Sequence, residues 1–456
     1  MIMSAQAFHH ALKIQEDICI GCAHCMNVCP TGALRVVNGK ARLLAERCVD
    51  CGECYRACPV SAITVEQDDF RRVFDFSHSV LLVPELLFGQ FPEDVDKTLI
   101  MDALRQVGFS EVVEVEHAAS LLKESTRDYL ERSDQERPLI SAFCPAMVRL
   151  IQVKFPALVD HIILQKPPLD ITALYYRRKL EDEGVDPDDI GIFYVTQCAA
   201  KIAAIKSPVG ESHSYIDGVI NMDYIYNKVY STIKSQNHSF GTTEKGEKDA
   251  LCPEGVLWSL THGEADQVEG RCLAVDGIHN VIEFLEKVEN EEMSGVDFLE
   301  LRACDESCAG GILNPANRFL TVERLRNKAR EQERLEREER RPQSGIQHYR
   351  EYLTENLALK PVVPRSIMKL DEDMTRALNK MRRVKDLMNT LPGVDCGVCG
   401  APSCSALAED IVNNKGSLRD CIFIQRKYEQ KKIQRPDESF DIMRRIWGDN
   451  KLMGNQ

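Results

Sequence analysis

The sequence predicts a mixed α/β protein: a central domain of mostly parallel sheets, a small cysteine-rich domain at either end, and a helical arm leading to the second. Three observations carry this. From about Phe70 to Leu320 apolar strand runs alternate with helix-period stretches. The 18 cysteines are bunched, eight between Cys19 and Cys58 and four between Cys396 and Cys421, with six spread thinly between. Between the alternating region and the second bunch runs a densely charged segment, Arg318 to Arg341. The boundaries that follow are 1–69, 70–320, 321–390 and 391–456.

Composition limits the function. At 456 residues there is chain for about three domains of ~150 residues. The composition, 44% hydrophobic and 28% charged, is that of a soluble globular protein. A net charge of −14 argues against nucleic acid or an anionic membrane as partner, because both reward clustered Lys and Arg. No run approaches ~18 apolar residues. Met1 to His10 lacks a basic region followed by an apolar core, so a cytoplasmic location is expected and the cysteines read as thiolate ligands, not disulfides.

The first bunch reads Cys19-x2-Cys22-x2-Cys25-x3-Cys29-Pro30, then Cys48-x2-Cys51-x2-Cys54-x3-Cys58-Pro59, an internal repeat offset by 29 residues. This is the bacterial two-cluster ferredoxin run. Three close thiolates wrap one [4Fe–4S] cube and the fourth crosses to its mate. Cys19, Cys22, Cys25 and Cys58 are assigned to one cube, and Cys48, Cys51, Cys54 and Cys29 to the other. Paired zinc sites are the competing reading, but zinc requires neither the third cysteine nor the Cys-Pro.

Strands are predicted at Ser79–Val83, Glu111–Val115, Leu139–Phe143, Gly191–Val195, Cys272–Val275 and Val296–Leu301. Helices are predicted at Asp94–Val107, Ala118–Arg132 and Gly277–Val288. Ser235–Ala250 is polar and Gly-containing and reads as a surface loop. Arg318–Arg341 reads as one solvated helix stopped at Pro342. A coiled-coil homodimer is the alternative there, but sustained a/d apolar positions are missing. A further helix, roughly Ile367–Thr390, leads to Cys396-x2-Cys399-x4-Cys404-x16-Cys421. Those four thiolates can hold one more [4Fe–4S] cube, with a zinc knot as the competing reading.

Cys144, Cys198 and Cys304 each follow a predicted strand directly, and Cys308 lies four residues past Cys304. Carboxyl ends of parallel strands meet where ligands bind, so these four are candidate ligands of one centre. Buried cysteines acting as small hydrophobes are the bland alternative.

At these residues the sequence resembles the [FeFe]-hydrogenases. SAFCPAMVRLI, VTQCAAKIAA and RACDESCAGGILNP are similar to the three signatures of their two-lobed H-cluster domain. VLLVPELLFGQF, ALRQVGFSEVVEVEHAA and LCPEGVLWSL agree with the flanking context. The resemblance implies an H-cluster, a [4Fe–4S] cube joined to a di-iron unit with CO, cyanide and a dithiolate. Cys144, Cys198 and Cys304 would hold the cube, Cys308 would bridge the two parts, and Lys201 would hydrogen-bond a cyanide. Reversible cleavage of H2, an anaerobic setting and maturation proteins as partners are implied with it. The C-terminal four-cysteine domain is similar to that of a divergent branch associated with hydrogen sensing. A redox partner or signalling kinase or phosphatase is the partner this implies.

The chain departs from the family's pattern in the surroundings of these residues. Phe143 stands where catalytic members carry a proton-relaying cysteine, and a phenyl ring has no titratable proton. Thr196-Gln197 replaces Met-Pro; Asp305, Glu306 and Ser307 replace glycines; Arg302 replaces a methionine. Ligands kept and relay lost imply slow turnover, as in a sensor. The alternative is a non-catalytic electron carrier or cluster-assembly protein without the di-iron unit. Cys252, opening a helix with Pro253, and Cys272, expected as an inert core residue, are read as structural.

Overall fold

The computed structural model describes residues 8–235, 251–338, 345–365 and 373–452. The chain divides into two compact units, one of Met1–Glu66 with Arg365–Gln456 and one of Gln67–Pro364. The first unit thus joins the two cysteine-rich ends, which the sequence reading separated. The physical reason lies in a hairpin. Strands Leu34–Val37 and Lys40–Leu43 pair antiparallel around Asn38-Gly39, both at positive φ, the two-residue turn that matches strand twist. The hairpin's free backbone groups are taken by the C-terminal segment: Val36 N–H donates to Gly400 O at 2.8 Å, and Asn38 and Gly39 donate to Arg445 and Ile446 carbonyls at 2.9 Å. Arg35 adds a bidentate pair to Asp410, at 2.6 and 3.2 Å. Gly400 is required at its position, because it sits at positive φ and a Cβ there would run into Val36 O.

The second unit carries two parallel sheets. Four strands run in the order Glu111–Glu114, His78–Val83, Ile190–Thr196, Gly218–Asn221. Three run in the order Cys272–Val275, Phe298–Leu301, Leu139–Ile140. Ile190–Thr196 is buried along its whole length, as a strand covered on both faces must be. The expected strand Leu139–Phe143 stops at Ile140, since Ser141 turns its hydroxyl to Glu264 and takes the Phe143 N–H at 3.1 Å. Cys272 is half-buried on an edge strand, its thiol against the Val268 carbonyl, so it is not the core residue expected. Among the predicted helices, Lys97–Val107, Ala119–Arg132 and Ile278–Glu289 form.

The charged segment forms the helix Arg318–Glu338. It packs within the central unit through Val322, Leu325 and Ala329, all buried, and so does not act as a free linker. Met374–Met388 forms the helix before the last cysteines. The loop expected at Ser235–Ala250 falls, from residue 236 on, outside the described residues, as does Pro342. No described helix is long and apolar enough to cross a membrane.

Candidate iron–sulfur centre

In the N-terminal segment two short helices, His24–Asn27 and Glu53–Ala57, carry the middle cysteines of the repeat. Cys25 is pushed up to about 11 by burial, and next by the charges of Cys22, Cys19 and Cys58. The same four sulfurs line one cavity. Cys54 is pushed up to about 12 by burial and by Cys29, and Cys48 is raised by burial with Cys51 and Cys54 among its neighbours. The charges that act on these thiols follow the expected sets 19, 22, 25, 58 and 48, 51, 54, 29, with Cys25 also acting on Cys54 between the two sets. Backbone donors meet the sulfurs in a repeat-related way: Ala33 N–H to Cys29 Sγ and Ala62 N–H to Cys58 Sγ, each at 3.2 Å. Such bonds stabilise the anionic form of a thiolate-bound cluster.

In the C-terminal segment Cys399 is pushed up to about 11 by burial, with Cys421 and Cys396 adding to it, and Cys421 is raised in turn with Cys404 and Cys396 close by. All four sulfurs stand together. Burial raises Cys25, Cys48, Cys51, Cys54, Cys399 and Cys421, so these thiols would need the charge of a bound cation to serve as thiolates.

The central site is built from both sheets. Cys198 caps the helix Ala199–Lys206 just past Ile190–Thr196; Cys144 caps Pro145–Lys154; Cys304 lies on the loop after Phe298–Leu301 and Cys308 in the short 3-10 helix Ser307–Gly310 that follows it. Cys198 is pushed up to about 12 by burial, lowered by Lys201 and raised by Cys308 and Cys144; Cys144 is raised by burial and by Cys308. These three thiols stand together. Cys304 lies four residues before Cys308, its carbonyl taking the Gly277 N–H at 3.3 Å.

Two cations reach this group. Lys201, buried, lies against the Tyr194 hydroxyl at 3.3 Å and is held protonated by Tyr194, Cys308 and Cys198 despite burial. Arg302, 1% exposed, is paired with Glu264 at 2.6 Å and Glu300 at 3.5 Å. Glu300 is itself held by the N–H groups of His262, Glu264 and Ala265. Sequence reasoning missed Glu264, Glu300 and Tyr194. A signal existed for Glu300, a carboxylate inside the apolar strand run DFLELRA. Asp305, half-exposed and paired with Arg318 at 2.7 Å, lies on a solvated loop.

The chamber also holds donors without protein acceptors: Arg302 Nε and Nη1, Gln197 Nε2, Trp258 Nε1 and the Ser259 hydroxyl. The last three residues are tied to the site by backbone. Cys308 N–H donates to Ser259 O at 3.2 Å, Leu313 N–H to Gln197 O at 3.1 Å, and Arg302 to Trp258 O at 3.4 Å. Buried thiols, two cations and unpaired donors fit an anionic, acceptor-rich metal group. A cavity of about 1180 Å³, open mouth included, adjoins this chamber and has Phe143, Tyr194, Lys201 and Ser259 on its wall.

The family model described as the C-terminal domain of the iron-only hydrogenase large subunit matches residues 85–256. Over those residues the chain is similar to that hydrogenase domain. The match contains Cys144, Cys198 and Lys201 and ends before Cys304 and Cys308. A 4Fe-4S dicluster domain matches residues 11–59, and a family described as "Putative Fe-S cluster" matches 391–423. The hydrogenase-like chain is therefore an iron–sulfur protein in three matched segments. It is similar to two single-residue variants of the [FeFe]-hydrogenase HydA1 from Chlamydomonas reinhardtii. Identities are 14% and 15% and TM-scores 0.47 and 0.48, covering 66% of this chain and 96% of those. An uncharacterized protein of Methanocaldococcus jannaschii is 32% identical over 76 residues, 17% of this chain and 34% of that protein. The chain thus spans about a third of the curated relative it matches.

Proposed function

We propose that this hydrogenase-like chain binds H2 and splits it slowly and reversibly at an H-cluster, and that the C-terminal cluster passes its redox state to a signalling partner of kinase or phosphatase type. Cys144, Cys198, Cys304 and Cys308 would hold the group, which when bound supplies the metal chemistry of heterolytic H2 cleavage. The observation that carries the reading is the pairing of Lys201 with Phe143 at the chamber: the Lys201 ammonium stands 4.7 Å from the centroid of the Phe143 ring. The cation suits an anionic ligand, and the ring carries no proton. Binding is kept while proton exchange is slowed, as a sensor requires.

A second reading, a carrier with an ordinary cube and no di-iron unit, is favoured by one observation. None of the four thiols is on the wall of the large cavity. Infrared spectroscopy after maturation separates the two. Bands of CO and cyanide support the H-cluster; their absence with full iron in the cubes supports the carrier. Film voltammetry of the matured protein is expected to show an H2-dependent current far below that of a fast hydrogenase.

A further inference from the structure

The carboxyl ends of strands His78–Val83 and Glu111–Glu114 deliver three acids into the interior, Glu85, Glu114 and Glu116. Lys97 reaches Glu85 at 3.4 Å and pairs closely with Glu114, while Lys328 pairs closely with Glu85. Both lysines are partly exposed, at 30% and 25%. Glu116 receives the Glu85 N–H on Oε2 at 2.9 Å and has no cation among its main influences. Glu116 is among the residues on the wall of the large cavity, as are Phe143 and Lys201.

Three carboxylates against two ammoniums leave one excess negative charge in a buried cluster. An unpaired buried carboxylate is resolved by taking a proton. Glu114 is held low by Lys97. Glu85 is pushed to about 7 by burial against both lysines, and Glu116 to about 8 by burial and by the charges of Glu85 and Glu114. The other groups facing Glu116 are Tyr194, on which its charge acts, and Cys252, whose Sγ and the Glu116 carbonyl both lie beside Gly255. The proton therefore sits on the acid nearest the cavity, and the cations sit at the solvent end.

We propose that Glu116 stores a proton at the cavity wall and exchanges it with solvent through Glu85 and the lysines Lys97 and Lys328, supplying the titratable group that Phe143 does not. Its use in H2 chemistry rests on the function proposed above; the proton store does not. Glu116 releases its carboxyl proton to the cavity. Glu85, ionised between its two lysines, takes a proton from the Lys97 or Lys328 ammonium and passes it to the Glu116 carboxylate; the amine is reprotonated by water at the surface, and the hydroxide left there is neutralised in bulk solvent.

The test uses the full chain with its iron–sulfur clusters, by infrared difference spectroscopy in H2O and D2O. A protonated carboxylic acid band that shifts on deuteration is expected at neutral pH. It should be absent in Glu116→Gln and return in Glu116→Asp, with iron content unchanged as the control for folding. In Glu85→Gln the deuterium shift should slow by about tenfold or more. In matured protein Glu116→Gln should lower H2/D2O isotope exchange by at least about 10²-fold, the low end of what a positioned acid contributes. The CO and cyanide bands should stay in place. A band that survives Glu116→Gln overturns the proposal, as does unchanged isotope exchange once the band is gone. If the matured native chain shows no CO or cyanide bands, the hydrogen reading alone fails, and the carboxylic acid band still decides the proton store.

Discussion

The guanidinium carbon of Arg302 lies 4.0 Å from the centroid of the Phe143 ring, and Lys201 Nζ lies 4.7 Å from the same centroid. One phenyl ring thus meets both cations of the chamber. A buried cation is attracted to an aromatic face by about 2 kcal/mol or more once water is excluded. Phe143 also belongs to the apolar cluster of Leu122, Tyr175 and Trp258, against which Cys308 packs. The ring therefore holds Lys201 and Arg302 close to the thiols.

Phe143→Cys is expected to raise H2-dependent current in the matured protein, by up to about 10²–10⁴-fold, since it restores a titratable group at the chamber. Phe143→Ala opens the same space without a proton donor. It should leave the current low and destabilise the central unit by about 3–5 kcal/mol, read by chemical denaturation.

Lys201→Met removes a buried ammonium that stands against Cys198 and Cys308. Reduction of the cluster proposed there would add negative charge, so the variant should be harder to reduce. An electron-paramagnetic titration is expected to show a lower midpoint potential. Lys201→Arg, keeping the charge, should recover part of the shift.

Cys29→Ser tests the crossed ligand sets. Its charge acts on both Cys51 and Cys54. Magnetic spectra should show loss or conversion of the cluster held by Cys48, Cys51 and Cys54, with the Cys19, Cys22, Cys25, Cys58 cluster intact. Cys58→Ser should give the converse.

Burial, with the charges of Glu85 and Glu114, pushes Glu116 from the ordinary 4.5 up to about 8, so the native state binds the proton more tightly. Its contribution is fully present below about 4.5 and is lost as pH rises towards about 8. Across that window the slope from this one group is about 1.4 kcal/mol per pH unit. Glu116→Gln should flatten the fall in thermal midpoint over that range, measured by circular dichroism.

The sequence alone determined the layered centre and proposed the cysteine groupings. Thiolate spacing is set by the size of an iron–sulfur cube, and strand or helix period by backbone geometry, so both are local and readable. Cys198 and Cys144 were found because strand ends precede them. The tertiary structure decided what contacts remote in sequence decide. Hairpin Leu34–Leu43 takes backbone partners near residues 400 and 446, so the two cysteine-rich ends form one unit. Arg302 finds Glu264, and Glu116 finds Glu85, because the ends of non-adjacent chain segments converge. Charge in an interior is settled by its nearest neighbours in space, and no local spacing announces them.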